Sequence, residues 1–267
     1  MIAAVAGLSI AVSAQEAAQR PDGPRAAAPP APAPRSPDGK PDLQGMWSAR
    51  AAGATQIIED HAEEPPFLRA GKTIVTDPAD GKIPYQPWAL AERDRRRQPQ
   101  NNYHDPDVRC HLAGVPRVMY DMQLPIVILQ SSGNIVMLHE LSHATRIIAM
   151  DGRPHLRATF RLWQGDSIGR WDGDTLVVET TNGNGKTWLA QYGDFVSDAA
   201  KVTERFSMAD VATINYQVTI EDQKVFTRPW TMAFALGRNP DAEMLEAACW
   251  EDNKDPQHMK DLRSSTR

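Results

Sequence analysis

Positive charge is the first thing this sequence is short of. Across 267 residues, 29 Lys and Arg stand against 34 Asp and Glu, giving a net charge of −5 and a pI near 5.8. A nucleic-acid-binding surface ordinarily shows as a basic face, so nucleic acid drops out as a partner. The densest basic run, Arg93-Asp94-Arg95-Arg96-Arg97, reads as a solvated loop or helix face. Long apolar runs are also missing. Beyond residue 12 no stretch approaches the roughly 20 residues that a bilayer-spanning helix needs, so no membrane span is expected. Convincing helical periodicity is nearly absent too, which argues against alternating strand–helix units and a parallel sheet.

What is present begins with Ile2 to Val12, an almost unbroken apolar run with no Lys or Arg before it. Ser13-Ala14-Gln15 follows as a small-residue cleavage site. A run this short fits the core of a secretory signal, so residues 1–14 are expected as a signal peptide and the protein as periplasmic or secreted. Gln15 to Lys40 is dominated by Ala, Pro, Arg and Asp. It has too little branched or aromatic surface to offset its ordering entropy, and residues 15–40 read as a disordered linker. Residues 41–267 suffice for one domain with a sizeable core. The two cysteines are Cys110 and Cys249. In an exported chain an even pair most simply forms one disulfide, with a catalytic thiol as the alternative. Closing so long a loop is worth roughly 4–5 kcal/mol in the chain-entropy view.

Strand signals dominate from Leu124 onward. Ile126 to Gln130 and Ile135 to His139 flank Ser131-Ser132-Gly133-Asn134, which reads as a hairpin. Thr145 to Met150 ends at Asp151-Gly152, and Asp172-Gly173 joins Ser167–Trp171 to Asp174–Thr181. Asp-Gly favours a turn because Gly accepts positive φ. In Ile214 to Glu221 the residues Ile214, Tyr216, Val218 and Ile220 alternate with polar ones; Phe226, Trp230, Met232, Phe234 and Leu236 share one face of the next segment. Period-two alternation means one face buried and one wet. Pro87 to Arg97 is expected as a short helix, and Ala242 to Cys249 as the best remaining one. The expected fold is mainly β: a single antiparallel, calycin-like barrel or half-barrel, with a β-sandwich as the alternative. Gly45-Met46-Trp47 resembles the opening strand of lipocalin-like barrels.

Several patterns look like chemistry. His139-Glu140-Leu141-Ser142-His143 matches the zinc-protease motif, which needs both imidazoles on one face of a helix. Here the flanking residues read as strands, where positions four apart are separated by about 13 Å, and no metal is assigned. Gly165-Asp166-Ser167-Ile168-Gly169 matches the nucleophile elbow, but leads into a turn instead of a helix. Gly183-Asn184-Gly185-Lys186-Thr187 resembles the end of a phosphate loop, yet joins strands and lacks the first Gly. A looser constellation remains. His143, His155, Glu140, Arg146 and Asp166 are candidate acid–base residues, and Trp163, Trp171, Arg153 and Arg170 candidate ligand contacts. Asp151 and Asp172 stand in the same stretch. Against this, Asp and Arg near hairpins commonly cap backbone groups, and tryptophans commonly belong to a core.

Pro41-Asp42-Leu43-Gln44-Gly45-Met46-Trp47, Gly114-Val115-Pro116-Arg117 beside Cys110, Asp151-Gly152-Arg153-Pro154-His155 and the run from Gly165 to Thr180 form a further pattern. With Thr203-Glu204-Arg205-Phe206, Pro229-Trp230 and Glu246–Cys249, it resembles a large, mostly uncharacterised family of exported β-rich proteins from Gram-negative soil bacteria. The resemblance implies pairing of Cys110 with Cys249, and an aromatic residue where His139 stands. It implies no activity. The expected function is a cofactor-independent isomerase, lyase or hydrolase acting on a small hydrophobic or aromatic molecule. The alternatives are a β-barrel that carries such a ligand without chemistry and, behind it, a zinc hydrolase.

Overall fold

The computed structural model describes residues 32–258 apart from 52, 65–67, 252, 255 and 256. The expected signal peptide, and the expected linker as far as residue 31, lie outside the described residues. The end of that linker segment is held against the domain. Arg35 bridges to Pro41, and its guanidinium donates to Asp174 at 3.0 and 2.6 Å.

The domain is a closed barrel. Its strands are β1 (Gly45–Arg50), β2 (Val75–Asp77), β3 (Ile126–Gln130), β4 (Asn134–His139), β5 (Thr145–Ala149), β6 (Asp166–Asp172), β7 (Thr175–Thr181), β8 (Lys201–Asp210), β9 (Thr213–Glu221) and β10 (Trp230–Arg238). The ring runs β1-β3-β4-β5-β6-β7-β8-β9-β10 and returns to β1. The end of β10 pairs with β1, while β2 sits outside the ring on Thr231 and Met232. Neither a half-barrel nor a sandwich forms. A ring with an odd number of strands cannot alternate direction all the way round, so one neighbouring pair must run parallel. That pair is β5–β6, joined through only Ile148–Ser167 and Ala149–Ile168. A parallel step needs a long crossover, and residues 150–165 supply it.

The alternation seen in the sequence sets the inward rows. Ile214, Tyr216, Val218, Ile220, Trp230, Met232 and Leu236 are at most 1 % exposed. Each such side chain gains roughly 1.5–3 kcal/mol on burial. The turns are as expected, with Gly152 and Gly173 both at positive φ. Helix α1 (Pro87–Arg97) starts with Pro and ends on three arginines that suit its negative terminus. Short 3-10 turns link α1 to β3. Ala242–Cys249, expected as a helix, is not helical. Its Leu245 N–H donates to Glu140 at 3.0 Å, and its end is tied by the Cys110–Cys249 disulfide, with Cα atoms 5.5 Å apart. Those tertiary ties override a weak local propensity.

β1 closes the ring, and Gly45 lets it. Gly45 has φ +127°, and a Cβ there would lie 2.5 Å from Arg238 Nη1. Arg238 crosses this point to stack 4.4 Å from the centre of the fully buried Trp47 ring, donating to Val211 O and Gln44 O at 2.7 and 3.1 Å. Gly45→Ala is therefore expected to lower unfolding free energy by about 1–3 kcal/mol. Gly133→Ala, with nothing within 4 Å of its added Cβ, is expected to be near neutral. Urea denaturation of both variants checks this.

Candidate functional site

The structure gathers some of the sequence-derived candidates in two places and disperses the rest. The first is the lumen. Arg146 on β5 is 2 % exposed and Glu204 on β8 fully buried. Arg146 Nη1 donates to Glu204 Oε1 at 2.9 Å, and its Nη2 grips Glu204 Oε2. Arg146 Nε donates to Ser167 Oγ at 3.1 Å and Nη2 to Thr180 Oγ1 at 3.0 Å. Tyr216 donates its hydroxyl to Glu204 Oε1 at 2.8 Å. These residues come from five successive strands, β5 to β9. His139 lies on the inward row of β4 with Ile135 and Met137, 3 % exposed. Burial, with the nearby Arg146 charge, pushes its pKa down to about 3. The ring is neutral at ordinary pH.

The second place is the outer wall, where the crossover 150–165 lies over the start of β6. Asp166, 5 % exposed, accepts from Arg153 Nη1 and Nη2 at 3.1 and 2.6 Å and from Leu156 N at 3.0 Å. Burial alone would raise its pKa. The Arg153 guanidinium, the Leu156 N–H and His155 outweigh that and hold it at about 2. An ionised carboxylate only accepts, so His155 Nδ1 donates to Asp166 Oδ2 across 2.9 Å. His155 Nε2 stands 3.3 Å from Glu179 Oε1. Lys201 pairs with the other Glu179 oxygen at 2.5 Å and holds the Glu179 pKa below its usual range. His155 is thus fixed at one nitrogen and faces a second carboxylate with the other, 23 % exposed.

The remaining candidates are dispersed. His139 ends β4, while His143 is exposed with φ +48°, so the five-residue motif does not form the helix that zinc proteases use. Glu140 is buried and accepts from Leu245 N. Trp163 stacks on His111, centroids 4.8 Å apart. Trp171 packs at the edge of the core with Lys40 Nζ 6.0 Å from its ring centre, and Arg170 points outward. Among the described residues no group of three or more His, Cys, Asp or Glu is arranged to hold a metal ion.

Sequence reasoning missed the partners Glu179, Lys201, Glu204, Thr180 and Tyr216. For Glu179 a signal existed. The Asp172-Gly173 turn sets the β6–β7 register, with Asp166 opposite Thr181 and Ile168 opposite Glu179. Asp166 and Glu179 therefore fall on one face as diagonal neighbours. A third cluster also went unseen. Buried Arg117 meets Asp105 at 2.8 Å, Asp121 at 2.6 Å and Asp107 at 3.6 Å. Three carboxylates exceed one guanidinium, and burial pushes Asp107 up to about 7 against the pull of Arg117. It packs the turns before β3.

No protein-family model, curated protein or solved structure matches the chain.

Removing one member of the lumen pair leaves the other buried and uncompensated. Arg146→Met is expected to cost about 3–5 kcal/mol in urea unfolding, and adding Glu204→Gln to recover part of it. His139 gives a pH test. The unfolded ring binds a proton near pH 6.5 and the folded ring only near about 3. Its contribution to stability is present above pH 6.5 and lost as pH falls toward 3. The thermal midpoint of His139→Met is expected to fall less than that of the wild type across that interval.

Proposed function

We propose that this is an exported enzyme that needs no cofactor and carries out acid–base chemistry on a small hydrophobic or aromatic molecule, with His155 transferring the proton. The observation that carries the proposal is the imidazole held between Asp166 and Glu179. A general acid or base needs a fixed tautomer and an exchangeable nitrogen. Asp166 is the positioning residue, because it fixes Nδ1–H. Nε2 is the atom that gives and takes the proton. Arg153, already against Asp166, places positive charge where negative charge develops on a substrate. Leu156, Phe160 and Leu162, on the same crossover, are 39, 51 and 39 % exposed and offer apolar surface to such a substrate. Isomerisation, elimination and hydrolysis all fit a group of this kind. Export is supported by the Cys110–Cys249 bridge, since such bonds persist in oxidising compartments.

The alternative of a ligand carried in the lumen has less support. Trp47, Met137, Phe206, Tyr216 and Trp230 fill that space together with the Arg146–Glu204 pair. The zinc alternative needs both imidazoles on one helical face, whereas His139 faces the lumen and His143 the solvent.

The purified chain can be screened for hydrolysis of aryl esters and for solvent deuterium uptake by aryl ketones. Turnover is expected to fall about 100- to 10,000-fold in His155→Ala and to persist in His143→Ala. Equal turnover by wild type and His155→Ala, or none on any substrate, would sink the assignment.

A further inference from the structure

We propose that a groove between one face of α1 and the segment 188–197 binds a small aromatic carboxylate. It goes beyond the acid–base function above, and none of its residues belongs to the His155 cluster. Two depressions of about 500 and 250 Å³ meet at Arg95 and Arg96, which line both. Together they span the size of ordinary small-molecule sites, roughly 300–1,000 Å³. One is walled by Trp88, Phe195 and Val196, the other by Trp188 and Asn101.

Arg96 is the recognition group. Its side chain is 20 % exposed, and its guanidinium carbon lies 4.0 Å from the Phe195 ring centre and 5.3 Å from that of Trp188. Two aromatic faces thus hold the planar fork in one orientation. Among the described residues only its Nε is hydrogen-bonded, to Glu92 at 2.8 Å, which leaves both Nη groups as donors on a residue that lines both depressions. Arg95 gives Nε and Nη2 to the same carboxylate at 2.7 and 2.8 Å. One carboxylate facing two guanidiniums leaves a net positive charge. Arg97 follows them in the last turn of α1. Glu92 itself is held ionised down to about 2, with Arg95 as the leading cause.

That arrangement selects its occupant. A carboxylate matches two parallel N–H donors of a guanidinium, and a flat ring matches the exposed indole of Trp88, while Phe195 and Trp188 lie buried beneath Arg96 and hold it in place. Inorganic phosphate would satisfy the charge and leave the aromatic walls unused.

Benzoate, benzamide and inorganic phosphate titrated into the full chain, followed by Trp fluorescence and calorimetry, test the proposal. Benzoate is expected to bind saturably below about 10 mM, and benzamide and phosphate at least about tenfold more weakly. Arg96→Gln is expected to weaken benzoate by about 10- to 100-fold, with its melting temperature reported alongside. Glu92→Gln, which removes the negative charge that both guanidiniums face, is expected to tighten it. Absence of saturable benzoate binding, benzamide binding as tightly as benzoate, unchanged affinity in a folded Arg96→Gln, or no tightening in Glu92→Gln would each overturn the site. These are equilibrium measurements without turnover, so failure here leaves the His155 proposal standing, and the reverse.

Discussion

The barrel depends most on the contact of Arg146 with Glu204. The β5–β6 seam is the sparsest in the ring, with two paired residues on each side. Arg146 leaves β5 just there, takes Ser167 of β6 and Thr180 of β7 on the way, and reaches β8. One side chain therefore fixes the relative heights of four strands where backbone bonds do little. Moving both charges out of water offsets much of their attraction. The pair's contribution is then one of register more than of net stability, because a slip by one residue would turn Arg146 outward and leave Glu204 alone in the lumen.

The same seam explains where the candidate chemistry sits. An odd number of strands forces one parallel step, and the step forces a long crossover. That crossover carries Arg153 and His155 back over the start of β6, and Asp166 draws both down. Asn182, itself at φ +62°, donates to Leu156 O, Arg157 O and Phe160 O at 3.3, 2.9 and 3.2 Å and pins the far half of the segment. A connection required by topology thereby becomes a rigid platform. Functional groups are well served by such segments, which lie at the surface yet are held by the scaffold beneath.

Much of the barrel was legible in the sequence. Ile214 to Glu221 and the turns at Gly152 and Gly173 obey local rules, and the structure repeats them. Helix α1 was legible too, from its leading Pro and its closing charges. The parallel seam was not, because alternation reports which face a residue takes and nothing about its neighbour strand. Ala242–Cys249 misled for a related reason: its conformation is set by Glu140 and Cys110, both remote in sequence. The site divides along the same line. Arg153, His155 and Asp166 lie close along the chain and could be grouped by eye. Lys201 and Glu204 are brought in by strand pairing over longer separations, and Glu140 and His143, three residues apart in sequence, face different surroundings.

The sulfur bridge spans 139 residues and encloses every strand from β3 to β10. Seen from the two ends of the chain, those eight strands form a side loop. Tension applied between the termini would run from β1 to Cys110, cross to Cys249 and leave by the tail. The ties of Arg35, β1, β2 and α1 would bear load, and the strands enclosed by the bridge would hang beside the line of force, mechanically shielded.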